Sequence, residues 1–298
     1  SIPNLTFLDP ITARVAGRGS GGVTVAVRTD VAPIDPKGMT VKAVARWLEG
    51  QDVSTYYTVL PILAGDGRQG VKRLLDRARA RLEAWEEEMG RLSRMTRFER
   101  EARSGGARSV AGVDEAGCGP LAGPVVAAAV ILLEGVLIPG VDDSKKLTPE
   151  KREELYIEVS ARAAAIGVGV VDQTRIDEIN IRQAAFEAMR KAIALLKRPV
   201  DHILVDGFRI PLLDLPQTPI IGGDGLSLSI AAASIIAKVT RDRMMMELDR
   251  LYPQYGFARH KGYGTGEHFA ALRVHGPSPV HRKSFSWDGE AADSGRRR

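Results

Sequence analysis

Two adjacent carboxylates, Asp114 and Glu115, stand at the end of an apolar stretch that begins at Ser109. A glycine-rich turn, Gly117-Cys118-Gly119-Pro120, follows at once. Like charges on neighbouring residues repel each other, and the repulsion grows where water is scarce. A chain that ends a buried strand in this way needs a positive partner there, and a hard divalent cation with oxygen ligands is the natural candidate. The alternative is a polar strand end that leads into a flexible turn.

Composition excludes several classes of protein. The chain has 298 residues, of which 44% are hydrophobic and 27% are charged, as in an ordinary globular protein. A net charge of +5 suits a polyanionic partner. Because Cys118 is the only cysteine, an intramolecular disulfide is excluded and a reducing compartment fits. No apolar run reaches the ~18 residues of a membrane span, so we expect a cytoplasmic protein without a membrane partner.

The first third of the chain divides into two regions. Residues 1–38 are rich in Gly, Pro and Thr and show no sustained period, so we expect them to be disordered or to lie upstream of a true start at Met39. A small hairpin near Val23 to Val27 is the alternative. Residues 39–106 are predicted to form a helical extension that ends in a linker, because apolar residues recur at helical spacing.

Strands and helices alternate over residues 107–276, which predicts an α/β fold around a central mixed sheet flanked by helices. Thr148 is typical of a helix N-cap, since Pro149 follows at the first helical position. Residues 277–298 are predicted to be a basic C-terminal tail. Predicted strands cover residues 125–133, 166–171, 202–205 and 219–221, and predicted helices cover residues 149–164, 176–196, 228–251 and 267–275.

More acidic residues stand at the ends of predicted elements. Asp206 follows a short apolar strand, and Asp224 precedes a helix that contains Ala231-Ala232-Ala233. Because the ends of neighbouring strands converge, these two residues can share one site with Asp114 and Glu115. An all-oxygen cluster suits Mg²⁺ or Mn²⁺, and two such ions can clamp the attacking and leaving oxygens of a phosphodiester. Each Asp taken alone is better explained as a turn residue than as a metal ligand. The four acidic residues taken together favour a metal site.

Nine motifs follow one another between about residue 108 and residue 285. They are Val110-Ala111-Gly112-Val113-Asp114-Glu115-Ala116-Gly117, Leu121-Ala122-Gly123-Pro124-Val125-Val126-Ala127-Ala128, Asp143-Ser144-Lys145-Lys146-Leu147, Val205-Asp206-Gly207, Gly223-Asp224, the helix from Ala231 to Asp242, Tyr252-Pro253-Gln254-Tyr255-Gly256-Phe257, His260-Lys261-Gly262-Tyr263-Gly264-Thr265 and His281-Arg282-Lys283-Ser284-Phe285. With these motifs in the family's order, the chain resembles the ribonuclease HII family over this range. The segment from Met39 is similar to the helical extension of some bacterial members.

The resemblance implies an RNase H-like fold with a helical N-terminal extension. It also implies an endonuclease that acts on RNA–DNA hybrids and on DNA with embedded ribonucleotides, and that leaves 3′-hydroxyl and 5′-phosphate ends. A monomer is implied, and contact with a sliding clamp stays open. The implied cofactor is Mn²⁺ or Mg²⁺, and the implied metal ligands and catalytic residues are Asp114, Glu115, Asp206 and Asp224.

Other residues are expected, from the same resemblance, to contact the nucleic acid. Main-chain groups of Gly117, Cys118 and Gly119 would line the ribose 2′-hydroxyl, which distinguishes RNA from DNA. Tyr263 would stack or hydrogen-bond at the junction between a ribonucleotide and a deoxyribonucleotide. Lys145 and Lys146 would hold phosphates as point charges. Lys238 and Arg241 lie three residues apart on one face of the long helix and would reach either the nucleic-acid backbone or the acidic cluster. For His260 and His281, which lie in basic loops, phosphate contact and simple exposure are both open.

Two residues depart from the family pattern: Cys118 stands where Arg or Lys is usual, and Gly223 stands where Lys is common. A protein that keeps the fold and binds nucleic acid with impaired turnover is therefore one alternative, although all four acids are present. A second alternative is a ribonuclease HIII-like enzyme, which requires longer hybrid stretches. The helical character of residues 39–103 argues against that second alternative.

Overall fold

The computed structural model describes residues 35–287 and three earlier strands. The strands are β1 (Thr6–Asp9), β2 (Thr12–Val15) and β3 (Val23–Ala26), and the remaining residues up to 34, with residues 288–298, lie outside the described part. The chain divides into two compact units, Ser1–Arg94 and Met95–Arg298. No helix within the described residues is long and apolar enough to cross a membrane.

The first unit contains a small sheet and three helices. The strands pair antiparallel in the order β1-β2-β3, and the β2–β3 pair overlaps the position of the alternative hairpin. The rest of the prediction for residues 1–34 falls outside the described residues. A buried apolar core joins the three helices. They are α1 (Val41–Glu49), α2 (Tyr56–Ala64) and α3 (Gln69–Met95).

The helix α3 has the face that its apolar spacing predicts. Val71, Leu75, Ala78 and Leu82 are buried in the core of the first unit, three or four residues apart. Residues at this spacing lie one above another on a helix. The charged residues between them occupy the opposite, solvated face. The helix α2 was not predicted, and Pro61 lies inside it.

The second unit is a mixed sheet with helices on its faces. The strand order is β6-β5-β4-β7-β8; β4 runs parallel to β7 and antiparallel to β5. The predicted α/β fold is therefore confirmed. The strands are β4 (Val110–Ala116), β5 (Val125–Leu132), β6 (Ala163–Val171), β7 (His202–Asp206) and β8 (Gln217–Ile220). The helices are α4 (Arg97–Ser104), α5 (Pro149–Arg162), α6 (Gln173–Ile179), α7 (Ile181–Ala194), α8 (Leu228–Leu251), α9 (Phe257–His260) and α10 (Gly266–His275).

Two boundaries differ from the prediction. The helix expected over residues 176–196 is two helices, because Asn180 adopts a positive φ of 67° and its side chain caps α7 by accepting from Gln183 N–H. Asn tolerates this conformation and caps helices well, so it can end one helix and begin another. The second boundary is the C-terminal tail, predicted from residue 277. Val280 is buried in the second unit and Trp287 packs against the same core, so the residues up to Trp287 are part of this unit.

The two faces of the sheet are divided between α7 and α8. Ala111 and Val113 of β4 pack in a core that contains α7 residues, whereas Val110 packs with Ile230 of α8. Side chains of a strand alternate between faces, so Gly112 and Asp114 lie on the α8 side. A Cβ at Gly112 would lie 2.1 Å from the backbone carbonyl carbon of Ser229 in α8. The backbone of α8 therefore lies directly on β4.

A buried carboxylate fixes the beginning of α8. Glu99 of α4 accepts hydrogen bonds at Oε1 from the hydroxyl groups of Ser227 and Ser229 and from the backbone N–H of Ser229. The residue is buried, and acidic groups are favourable at a helix N-terminus. Glu99 lies in the segment predicted as the extension, yet it belongs by these contacts to the second unit.

Substitution of Gly112 by Ala tests this close packing. The new methyl group would meet backbone atoms, which cannot move aside as a flexible side chain can. Overpacking costs about 1–3 kcal/mol, and each kcal/mol lowers the melting temperature of a domain of this size by about 2–4 °C. Thermal melting checks this, with Gly266→Ala as the control because a Cβ at Gly266 meets nothing within 4 Å. Equal melting of the two variants would contradict the observed contact between α8 and β4.

Candidate active site

Parallel neighbouring strands bring the acidic residues together. Val113 of β4 pairs with Val205 of β7, so Asp114 and Asp206 are the next residues at the same edge of the sheet. Asp224 lies in a short turn, Gly223–Gly225, between β8 and α8. One carboxylate oxygen from each of Asp114, Asp206 and Asp224 lies within 4.8 Å of the others. The predicted convergence of these three acids is what the structure contains.

Glu115 faces the other side of the sheet. It follows Asp114 on β4, and side chains alternate along a strand, so it is not a member of the 4.8 Å group found among the described residues. Its Oε1 accepts a weak hydrogen bond, 3.6 Å long, from the thiol of Cys118. Burial first, and then the adjacent Glu115, raise the pKa of Cys118 to about 12. The thiol therefore stays protonated near neutral pH and acts as a donor, which does not support a reactive thiolate.

The cluster carries unfavourable negative charge. Asp114 is only 3% exposed, and burial, together with Glu115 and Asp206, raises the pKa of its carboxyl group well above the usual value. Burial also raises the pKa of Asp206 and of Glu115. Ionised carboxylates held this close are stabilised by a cation between them. The donor set of hard oxygen atoms fits a divalent ion such as Mg²⁺ or Mn²⁺.

Neighbouring groups hold these acids in place. Asp206 accepts from the backbone N–H of Gly223 at 2.7 Å, which ties the end of β7 to the turn that carries Asp224. Lys145 Nζ lies 3.2 Å from the Asp224 carboxylate. Although partial burial works against the charged ammonium, Asp224 raises the pKa of Lys145. Lys145 thus lies at the acidic cluster.

The loop around Lys145 is attached to α8. Ser144 Oγ and Ser234 Oγ form a hydrogen bond of 2.8 Å, and the Ser234 hydroxyl also lowers the pKa of Asp114, against the larger effect of burial. Lys146 pairs with Asp142 at 3.2 Å, and a Cβ at Gly225, next to Asp224, would lie 3.8 Å from its Nζ. Its side chain is largely exposed, so it is accessible to a phosphate group.

The glycine-rich turn after β4 is held by a buried arginine. Arg282 donates to the carbonyl groups of Gly117, Cys118 and Gly123, at 2.6, 3.1 and 3.0 Å. In a trans peptide the carbonyl and the following N–H point in opposite directions. The N–H groups of Cys118 and Gly119 therefore point away from Arg282, where a ligand oxygen can accept from them. The sequence motif contains Arg282, but the sequence alone assigned it no role.

Arg241 does not lie where its predicted phosphate contact requires. Its side chain is fully buried and donates to the carbonyl groups of Ala122, Pro124 and Lys261. This placement does not support a contact with the nucleic-acid backbone. Lys238, predicted on the same face, forms an ion pair with Asp242 at 2.6 Å and is only partly exposed. Both basic residues are engaged within the protein.

Tyr263 lies beside the glycine-rich turn. Its side chain is 44% exposed, and a Cβ at Gly119 would lie 3.6 Å from its ring atom Cε1. The backbone N–H of Leu121 donates a hydrogen bond to the carbonyl oxygen of Gly262 at 2.8 Å, which joins the loop after β4 to the loop that carries Tyr263. His260 and His281, for which a surface position was open, are both buried and hydrogen-bonded. The turn and the tyrosine thus form one surface next to the acidic cluster.

A buried carboxylate cluster at the edge of this mixed sheet, with a glycine-rich loop beside it, defines a nuclease with an RNase H-like fold and a site compatible with a divalent metal. The family model for ribonuclease HII matches residues 111–287, and that for the ribonuclease HII N-terminal domain matches residues 40–103. The chain belongs to the ribonuclease HII family, and it is an endonuclease of the ribonuclease H class.

Relatives from several bacteria are similar over most of the chain. Ribonuclease HII of Geobacillus kaustophilus is 55% identical over 228 residues, which are 76% of this chain and 86% of the relative. Ribonuclease HII of Acetivibrio thermocellus is 46% identical over 248 residues, which are 83% of this chain and 97% of the relative.

Solved structures are similar to the second unit in fold. Ribonuclease H2 from Pyrococcus horikoshii is 27% identical, with a TM-score of 0.51, over 64% of this chain and 100% of that chain. Ribonuclease HII in the PCNA complex from Archaeoglobus fulgidus is 26% identical, with a TM-score of 0.51, over 60% of this chain and 95% of that chain.

Asp206→Asn is expected to stabilise the protein when no metal is bound. The amide keeps an oxygen for the Gly223 N–H but removes one negative charge from the cluster, which relieves about 1 kcal/mol or more of repulsion. In a chelating buffer near pH 8 the variant should melt at a higher temperature than the wild type, and added Mn²⁺ should stabilise the wild type more. The exposed Asp214→Asn is the control. A lower melting temperature for Asp206→Asn in the chelating buffer would contradict the crowding of charge.

Proposed function

We propose that this enzyme hydrolyses RNA phosphodiester bonds in RNA–DNA hybrids and on the 5′ side of single ribonucleotides embedded in DNA. The products would carry 3′-hydroxyl and 5′-phosphate ends. The observation that carries the proposal is the adjacency of two features: three carboxylates within 4.8 Å of one another, and a loop whose N–H groups point away from Arg282. The first feature suits phosphodiester chemistry, and the second suits recognition of a 2′-hydroxyl.

The acidic side chains would hold two divalent ions. Asp114, Asp206 and Asp224 would provide ligands from the α8 side of the sheet, and Glu115 from the other side of β4. When bound, such ions supply Lewis-acid stabilisation of the phosphate and a water of lowered pKa. Lys145 would neutralise part of the charge at Asp224 and face the phosphate. Mn²⁺ and Mg²⁺ both fit the oxygen donors, and we propose either as the cofactor.

Recognition of the ribonucleotide would use the main chain and one aromatic ring. The N–H groups of Cys118 and Gly119 would bind the 2′-hydroxyl oxygen, a role that any side chain at position 118 permits. Tyr263 would stack on the sugar or base at the junction and donate from its hydroxyl group. Lys146 would bind a backbone phosphate. We propose the removal of ribonucleotides in DNA replication and repair, by a cytoplasmic monomer, as the cellular role.

Asp206→Asn is expected to lower cleavage by at least ~100-fold while hybrid binding is largely retained, since phosphate contacts dominate affinity and the metal ligand is lost. Cleavage of a DNA duplex that contains one ribonucleotide, with Mg²⁺ and Mn²⁺ compared, measures the first quantity. A filter-binding titration at fixed salt measures the second, and the exposed Asp214→Asn is the control for both. Near-normal turnover by Asp206→Asn would show that Asp206 holds no catalytic ion.

Tyr263→Ala is expected to cut the single-ribonucleotide duplex about 10-fold less efficiently or worse, as a stacking contact is worth ~1–3 kcal/mol. Cleavage of a long RNA–DNA hybrid should fall less, and the melting temperature should barely change because the side chain is 44% exposed. Tyr263→Phe separates the ring from its hydroxyl group and should retain the stacking part. Equal losses on the two substrates, or a large drop in melting temperature, would assign Tyr263 a structural role.

A further inference from the structure

Two buried histidines connect the C-terminal segment to the main chain of Tyr263. His281 Nε2 lies 2.9 Å from His268 Nε2, and His268 Nδ1 lies 2.9 Å from the carbonyl oxygen of Tyr263. At the other end, the backbone N–H of Ser278 donates to His281 Nδ1 at 2.9 Å. We call His268 and His281 the histidine pair.

Hydrogen-bond donors and acceptors fix the protons of the histidine pair. The Ser278 N–H must donate, so His281 Nδ1 carries a lone pair and the proton of the neutral ring is on Nε2. The Ser278 hydroxyl, 2.8 Å from the same Nδ1 atom, then donates to it as well. The Tyr263 carbonyl must accept, so His268 Nδ1 carries the proton of that ring. One proton then remains between the two Nε2 atoms, donated by His281 and accepted by His268. Every contact is satisfied only if both rings are neutral.

The surroundings of the histidine pair favour neutral rings. Both side chains are buried, His281 next to the rings of Tyr255, Phe257 and Trp287. Burial lowers the pKa of His281 to about 4 and lowers that of His268. A second proton on His268 would face the Nε2–H of His281, and a second proton on His281 would face the backbone N–H of Ser278.

The main chain of Tyr263 is held from both sides. Its N–H donates to the carbonyl of His260 at 2.9 Å, and its carbonyl accepts from Thr265 N–H at 2.8 Å as well as from His268. Because the Tyr263 ring lies against Gly119, a small rotation of this peptide would displace the ring from the glycine-rich turn. Next to His281, Arg282 holds the carbonyl groups of that same turn.

We propose that the histidine pair is a positioning device: the Ser278–His281–His268–Tyr263 chain of hydrogen bonds sets the Tyr263 ring against the glycine-rich turn and so sets selectivity for single ribonucleotides. The adjacent residues His281 and Arg282 thereby align Tyr263 and the glycine-rich turn, which together form the proposed ribonucleotide-binding surface. This inference rests on the proposed function of Tyr263. His268 and His281 touch neither substrate nor metal and act only through Tyr263.

Asn and Gln substitutions separate the two contacts of each histidine. An Asn amide group lies near the Nδ1 position and a Gln amide group lies near the Nε2 position. His268→Asn therefore keeps the donor to Tyr263, whereas His268→Gln loses it. At position 281 the order is reversed, since His281→Gln keeps the donor to His268 and His281→Asn loses it. A simple loss of packing would not produce this reversal.

Selectivity is measured as the ratio of kcat/KM on a single-ribonucleotide duplex to kcat/KM on a long RNA–DNA hybrid. His268→Gln should lower this ratio by about 3- to 10-fold, the effect of one hydrogen bond. His268→Asn and His281→Asn both break the contact between the rings but keep a donor at the Tyr263 carbonyl, so each should lower the ratio less, and by a similar factor. His281→Gln should leave the ratio near the wild-type value. His275→Gln, an exposed position on α10, is the matched control. The same ratio for Asn and Gln at each position, or the reverse order, would overturn the proposal.

A double variant identifies which inference fails. In a Tyr263→Ala background, His268→Gln should cause no further loss of selectivity, because the ring that it positions is gone. An additional loss in that background would show that His268 acts elsewhere.

If Tyr263→Ala alone leaves the ratio unchanged, the proposed function of Tyr263 is wrong. If it lowers the ratio but the four histidine variants do not, only the histidine pair is wrongly assigned. Melting temperatures identify any variant that fails to fold. If the variants at one histidine fail to fold, the Asn and Gln variants at the other histidine test the proposal.

Discussion

Crowded negative charge at the ends of β4 and β7 is the constraint on which this structure depends. Asp114 and Asp206 are brought side by side by the parallel register of two strands, and Asp224 joins them from the turn before α8. Repulsion between buried carboxylates would push these elements apart if nothing opposed it. The opposing contacts are local: the Gly223 N–H on Asp206 and the Lys145 ammonium on Asp224. A bound divalent cation would oppose the repulsion between the carboxylates most strongly. The arrangement of the three carboxylates therefore suits a bound ion better than the metal-free protein.

The helix α8 supplies the rigidity that such a cluster needs. Its backbone lies directly on β4 at Gly112, where no side chain could fit between them. Its first turn is fixed by Glu99, and its Ser234 reaches both Ser144 and Asp114. Farther along, Arg241 holds three carbonyl groups of the loops around the glycine-rich turn. One helix therefore connects the acidic cluster with the loops around the glycine-rich turn, and a shift of α8 would alter both.

Buried basic residues serve the loop conformation here instead of binding phosphate. Arg241 and Arg282 have no exposed side-chain surface, and the hydrogen bonds described for them go to carbonyl oxygens. Arginine suits this role because its guanidinium presents several donors in a fixed plane and stays charged where a lysine would lose its proton. Where Arg282 draws the carbonyl groups of Gly117 and Cys118 inward, the N–H groups of Cys118 and Gly119 point the opposite way. The conformation of the glycine-rich turn is thus set by hydrogen bonds from inside the protein.

The sequence by itself determined the mixed α/β sheet, the acids at the strand ends and the small residues that let α8 approach, because these depend on periodicity and on local charge. It did not determine the break at Asn180, where a side-chain cap outweighs helix propensity. Nor did it separate exposed from buried cations: Lys145 and Arg241 look equally suited to phosphate in the sequence, yet only Lys145 reaches the cluster surface. The roles of His268 and His281 also required the tertiary structure, since hydrogen-bond partners distant in sequence decide where a proton lies and which group it holds.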